Sequence, residues 1–258
     1  TLDRAFADVR YDPEVIRRDR NQSEFTKTLW DYLDSAVSES RVANGSRALR
    51  EHHALLRDIE ARYGVAKEIV TAVWGMESAY GAFRGSKPVI ASMATLAHDG
   101  RRARFFEAQL IAALQILQDG HTTPDRMTGS WAGAMGHTQF MPTSFQQLAV
   151  DWTGDGRRDI WGDDPADALA STANYLAENG WVTGQPWGVE VILPEGFDYA
   201  QATRGVKRLP SEWAQDGVLA IDGRPVRDYG RASVLAPAGH KGAAFLVWLL
   251  LLLFLDLI

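Results

Sequence analysis

Ile69-Val-Thr-Ala-Val-Trp-Gly-Met-Glu77-Ser-Ala-Tyr-Gly81 is the stretch on which the reading of this chain turns. Ile69, Val70, Val73, Trp74 and Glu77 fall at offsets 0, 1, 4, 5 and 8, one face of a 3.6-residue period, so the segment predicts an amphipathic helix with Glu77 on its apolar face. A carboxylate among Val73, Trp74 and Met76 loses hydration when ionised. Its pKa should rise, leaving a protonated group able to donate to a leaving oxygen. A buried Glu satisfied by backbone or arginine partners is the structural alternative, and burial alone does not choose between the two.

Outward from this helix the pattern stays helical. Upstream, Leu49, Leu56, Ile59 and Tyr63 recur at near-helical spacing from a cap at Ser46 to Gly64, and Asn44-Gly45-Ser46 reads as a break. The first 45 residues hold a charged opening, Tyr11 to Arg20, and an apolar run with Phe25, Leu29, Trp30 and Leu33. Downstream, Phe106, Leu110, Ala113, Leu114 and Leu117 form another stripe, ended by Gly120. The glycine-punctuated segment Gly129 to Gly136 cannot be regular helix throughout, and Pro142 opens a short helix through Phe145 and Leu148. Asp164-Pro165 predicts an N-cap and first helical residue, followed by Ala168, Leu169, Thr172, Tyr175 and Leu176 inward and a stop at Asn179-Gly180. Val189 to Leu193 is the strand candidate, and Pro210 to Ala214 a short helix.

Composition narrows the class. At 258 residues and 46% hydrophobic the chain can bury a core, and a net charge of −6 without a basic block excludes a phosphate-tracking, nucleic-acid partner. The absence of cysteine rules out disulfides, thiolate zinc sites and a Cys nucleophile, and no His-Glu-x-x-His pattern supports a zinc hydrolase. Nine tryptophans suit sugar stacking, although aromatics fill cores more often. Phe245 to Ile258 is almost uninterrupted apolar sequence, but 14 residues fall short of the roughly 20 that span a bilayer, so a buried helix is the plainer reading. Thr1 follows no basic, apolar leader, which leaves either a cytosolic protein or one whose signal has been removed.

Three blocks carry a resemblance. Trp74-Gly-Met-Glu77-Ser-Ala-Tyr-Gly81 after Tyr63-Gly-Val, Gly129-Ser-Trp-Ala-Gly-Ala-Met-Gly-His-Thr-Gln-Phe-Met-Pro142, and Asp167-Ala-Leu-Ala-Ser-Thr-Ala-Asn-Tyr175-Leu resemble, in order, the signatures of family B lytic murein transglycosylases. The resemblance implies a mainly α fold: a lysozyme-like catalytic core over about 46–182, an N-terminal helical segment over 1–45, and a C-terminal mixed segment with a small β element over 183–258 that packs back on the core. It implies cleavage of peptidoglycan glycan strands to 1,6-anhydro ends, with Glu77 as the single acid and base, and a periplasmic or envelope location in a Gram-negative-type bacterium. It implies Ser130 and Gln139 beside the reacting sugar, and Tyr32, Tyr175, Arg101 and Arg102 in the glycan groove. Taken without the resemblance, Tyr175 reads as core, the two arginines as solvated charge and Ser130 as a turn cap.

No cofactor is required for such chemistry. A structural calcium is the one ion implied: Asp151, Thr153, Asp155 and the Arg157 carbonyl resemble the start of an EF-hand loop, and Asp167 matches a late ligand in place of the usual twelfth-position Glu, here Gly162. The alternative is a hydrogen-bonded Asp/Gly turn. Hydrolytic glycosidases pair two carboxylates, and no second one is marked; Asp99, in His98-Asp99-Gly100, reads as a turn residue. A hydrolytic muramidase and a silent peptidoglycan-binding scaffold are the rival functions. Phe245 to Ile258 departs from the family's Tyr-Asn-bearing close, and carries no site residue.

Overall fold

A computed structural model describes residues 2–21 and 29–248. Phe25, and the leucine run after Trp248, lie outside the described residues. The chain divides into two compact units, the first reaching Asn179 and the second beginning at Gly180.

The first unit is helical: α1 Leu2–Phe6, α2 Pro13–Arg20, α3 Leu29–Ala36, α4 Glu39–Glu51, α5 His53–Tyr63, α6 Lys67–Ser78, α7 Val89–Asp99, α8 Ala103–Gln118, α9 Pro142–Leu148 and α10 Ala166–Glu178, with a minimal ribbon of β1 Lys87–Pro88 and β2 Thr128–Gly129. The predicted α6 is present, with Val70, Val73 and Trp74 buried. α7 and α8 pack on each other, and α10 lies against α5, α6 and α9. Nine of the 13 residues of α10 are buried, from Ala166 through Ala173 and at Leu176. A helix buried almost all round is central, and its small residues let neighbours approach closely. Tyr175, expected inward, is only half-buried.

Three local expectations are corrected. Asn44-Gly45-Ser46 is not a break, since α4 runs through it to Glu51 and the chain turns at His52 instead. Gly45 is there for space: a Cβ would stand 2.6 Å from the Tyr80 hydroxyl, which donates to the Arg41 carbonyl at 2.9 Å. Gly75 on α6 lies under the same ring. Tyr80 therefore wedges between α4 and α6, and both helices yield a side chain to it. At α10, Pro165 takes the cap position and Asp164 accepts the Ala166 N–H at 3.0 Å, one residue from the expected register. In α8 the buried stripe is Phe106, Gln109, Ala112, Ala113, Ile116 and Leu117, leaving Leu110 and Leu114 half-buried.

The second unit is a four-stranded antiparallel sheet with a short helix. β3 Gly188–Ile192 and α11 Pro210–Gln215 match the sequence reading; β4 Leu219–Ala220, β5 Ser233–Leu235 and β6 Ala244–Val247 complete the order β4-β3-β6-β5. The apolar run from Phe245 therefore begins as a strand, not a helix: Glu190 pairs with Phe245 and Leu235 with Phe245 across the sheet. Trp213 fills the core of this unit with Val191, Val218, Val234 and Leu246, its indole N–H on the Ala232 carbonyl at 3.0 Å. No helix among the described residues is long and apolar enough to cross a membrane.

Candidate active site

Glu77 occupies the last turn of α6. Beyond Ser78 the main chain passes through three consecutive left-handed residues, Ala79 (φ 50°), Tyr80 (φ 60°) and Gly81 (φ 84°). Among the described residues only Ala79, Tyr80 and Gln139 adopt positive φ without being glycine, and such strain persists where surrounding structure over-determines it. Here Ser78 supplies the constraint. Its hydroxyl donates to the His137 carbonyl at 2.5 Å and accepts the Gly81 N–H at 2.9 Å, so one side chain closes the turn and fastens it to the 129–140 segment.

That segment folds on itself. Ser130 N–H donates to the Ala134 carbonyl at 2.8 Å, and Met135 and Phe140 exchange both main-chain bonds. Its buried His137 accepts the Trp74 indole N–H on Nδ1 at 3.1 Å and meets the Gly162 carbonyl through Nε2 at 2.8 Å. These partners assign the proton to Nε2. Burial holds the His137 pKa below its ordinary value, so the ring stays neutral. Arg84, on the turn after α6, donates to the carbonyls of Trp161 (2.9 Å) and Gly162 (2.5 Å) and pairs with Asp163 at 3.1 Å.

Within this frame the Glu77 carboxyl makes no hydrogen bond or ion pair among the described residues. Burial alone pushes its pKa up to about 7, with no neighbouring charge contributing. The negative end of the α6 dipole acts in the same direction. A carboxyl poised near neutrality can give a proton and take one back.

Gln139 is held in its left-handed conformation by its amide nitrogen, which donates to the Arg84 carbonyl at 3.2 Å and the Gly136 carbonyl at 2.9 Å. That leaves its carbonyl oxygen as an acceptor. Ser130 does cap a turn, its Oγ accepting the N–H groups of Ala132 and Ala134 at 3.3 and 3.1 Å. Its hydroxyl hydrogen stays available to a ligand. Tyr175 sets its ring edge-to-face with Phe140 at 5.8 Å, beside Gln139 in the chain. Ser78 thus ties the turn after Glu77 to the 129–140 segment that carries Ser130 and Gln139, and Tyr175 packs on Phe140 of that segment.

Contacts do not bring the other expected groove residues to it. Tyr32 stands exposed on α3. Arg101 makes a bidentate pair with the buried Asp19 of α2, and Arg102 lies 4.3 Å over the Phe105 ring. Asp99 pairs with Arg20. Trp74 and Ser78 stand in the motif around Glu77 but carry no role by sequence alone, and nothing in the sequence marks Arg84.

In the 151–167 loop, Asp151 accepts the N–H groups of Gly154 and Gly156 at 2.7 and 2.8 Å and the Thr153 hydroxyl at 3.3 Å. Asp155 accepts the Arg157 N–H through one oxygen. Buried Asp167 accepts from Trp152, Thr153 and Asp159, and burial raises its pKa. The Arg158 guanidinium is turned onto His121. No group of three acidic or histidine side chains among the described residues converges as a metal cage.

A mainly helical, lysozyme-like domain with a half-buried glutamate, unpartnered among the described residues, at the end of one helix is what fold and geometry define. The chain belongs to the transglycosylase SLT domain family, which matches residues 1–250. It is 36% identical over 172 residues to the membrane-bound lytic murein transglycosylase B of Escherichia coli (strain K12), a match covering 64% of this chain and 47% of that protein. Thus the match spans about half the length of that relative. SltB3 from Pseudomonas aeruginosa, solved in complex with NAG-NAM-pentapeptide, superposes with a TM-score of 0.88 at 53% identity, covering 95% of this chain and 66% of that one. Escherichia coli lytic transglycosylase Slt35, solved in complex with calcium, superposes at 0.81 and 30% identity over 96% of this chain and 78% of that one. The family resemblance and mainly α, lysozyme-like fold read from the sequence are borne out.

Proposed function

We propose that this chain is a lytic transglycosylase cleaving the MurNAc-β-1,4-GlcNAc bond of peptidoglycan in the periplasm or envelope of a Gram-negative-type bacterium. The observation that carries this is the lone Glu77 carboxyl, raised to about 7 by burial with no charged neighbour acting on it. Protonated Glu77 gives its hydrogen to the glycosidic oxygen, and positive charge develops at the muramic anomeric carbon. With no second carboxylate among the described residues acting on Glu77, the sugar's own N-acetyl oxygen bonds to that carbon. The C6 hydroxyl then displaces the N-acetyl oxygen while ionised Glu77 takes its proton. Glu77 is regenerated, the muramic end closes as a 1,6-anhydro ring, and water is not consumed. The Gln139 carbonyl oxygen and the Ser130 hydroxyl are suited to orienting the N-acetyl group and ring; Tyr175, with Tyr32, Arg101 and Arg102, would line the groove. SltB3's capture of NAG-NAM-pentapeptide supports this substrate class.

Mass analysis of digested peptidoglycan tests the proposal. New muramic ends should weigh one water less than hydrolysed ends and resist borohydride, having no free aldehyde. Reducible muramic ends would mean a muramidase; no cleavage by folded protein would mean a scaffold.

The same reading gives the 151–167 loop a structural calcium. Its donor set is all oxygen, as this hard ion requires: Asp151, Thr153, Asp155 and the Arg157 carbonyl would hold the ion. Asp167 would clamp the loop behind them with little capacity to spare as a ligand. Gly156 at the sixth position takes φ 87°, the turn such a loop needs. Calcium should therefore raise the melting temperature and a chelator lower it, and Asp155→Ala should abolish the response. Identical melting in both conditions would leave the loop as a hydrogen-bonded turn.

A further inference from the structure

Phe83 is the most exposed large apolar side chain among the described residues, at 77%. It makes no ring contact there, yet the main chain on either side of it is tied down. Its N–H donates at 2.9 Å to the carbonyl of Ser78, the residue after Glu77. The next carbonyl along, that of Arg84, accepts the Gln139 amide. Gly85 then lies so close to Gly129 that a side chain at 85 would overlap its carbonyl. Phe83 thus projects from a rigid bridge whose one end is fastened beside Glu77 and whose other end is fastened to Gln139.

Single exposed apolar residues are ordinary on protein surfaces. A bare phenyl ring on a fixed main chain between two substrate-facing groups is not, because the main chain that carries it is already ordered and only its two side-chain torsions remain to be fixed when a ligand covers it. We propose that Phe83 is the platform on which an N-acetylated hexose ring of the glycan stacks, next to the bond that Glu77 protonates. This rests on the transglycosylase reading above. The apolar C–H face of a pyranose matches a phenyl face in size and polarity. A peptide stem with its carboxylate would want a cation, and the nearest in sequence, Arg84, is committed to two carbonyls and Asp163. Met76, 41% exposed on the last turn of α6, adds apolar surface one residue before Glu77.

The test uses Glu77→Gln protein, which binds without turnover, and glycan strands stripped of peptide stems, with binding read by calorimetry. Phe83→Ala should weaken binding roughly three- to tenfold, the scale of an aromatic stacking contact. Phe83→Trp should restore or tighten it. Phe83→Leu should behave like Phe83→Ala, because it keeps the hydrophobicity and loses the flat face. In the active enzyme Phe83→Ala should raise KM with kcat held within about twofold, as expected for a group that holds substrate and transition state alike. Unchanged affinity in Phe83→Ala, in a parent that does bind, overturns the platform and leaves the transglycosylase reading intact. Equal binding by the Leu and Trp variants overturns stacking. A folded Glu77→Gln parent with no affinity for glycan removes both readings together.

Discussion

Glu77→Gln is expected to fold, to bind glycan strands and to lose at least about a hundredfold of turnover, the scale of removing a group that acts as acid and base in turn. Glutamine keeps the shape and cannot transfer the proton. The substitution should also stabilise the protein. Burial raises the Glu77 pKa from 4.5 in a free chain to about 7, so between those values the folded state binds more protons than the unfolded one. Stability then falls as pH rises through that window. The full shift corresponds to about 3 kcal/mol, reduced by the partial exposure of the residue to roughly 2. The melting temperature of Glu77→Gln should therefore match the parent near pH 4.5 and exceed it by several degrees at pH 8. Activity should decline above pH 7 as the acid form is lost. A variant with near-parental turnover, or with a melting advantage independent of pH, would remove Glu77 from the role assigned to it.

Glu77 was legible because two signals coincide there, a 3.6-residue apolar stripe with a carboxylate on it and a flanking motif. The groups that build the turn around it were not legible, for a physical reason. Ser78 and Arg84 act on main-chain carbonyls 59, 77 and 78 residues away, and a carbonyl acceptor leaves no mark on residue type. Arg101, which taken without the resemblance reads as solvated charge, is instead paired. Its partner, Asp19, lies 82 residues earlier in a run that looks like an ordinary charged surface, yet the carboxylate is buried and the pair ties α2 to the α7–α8 turn. Gly45 shows how a local rule is overridden: Asn-Gly-Ser favours a turn in isolation, but the glycine answers to Tyr80. The β6 strand was hidden because a short apolar run has no periodicity that separates strand from buried helix.

A large loss of stability is expected at Gly136, where two costs fall on one residue. Its φ is +70°, and a Cβ there would fall on the carbonyl oxygen of Ile160. Left-handed backbone costs an alanine about 1–2 kcal/mol. The overlap is the heavier cost, because Ile160's carbonyl is main chain and already accepts the His137 N–H at 3.0 Å. Moving it breaks that bond and shifts His137, on which both Trp74 and Ser78 depend. Gly136→Ala should therefore cost about 3–5 kcal/mol, a value reached only by backbone strain or disrupted burial, and lower the melting temperature by roughly ten degrees or more. Because the Gly136 carbonyl also accepts the Gln139 amide, turnover should fall even at temperatures where the variant is folded. Gly154 separates the two costs. It has φ +75° with nothing within 4 Å of a built Cβ, so Gly154→Ala should show the conformational penalty alone, about 1 kcal/mol, with turnover intact. Equal losses in the two variants would mean that the close approach at Ile160 contributes nothing, and that the 129–140 segment is not the rigid element on which Gln139 and Ser130 are carried.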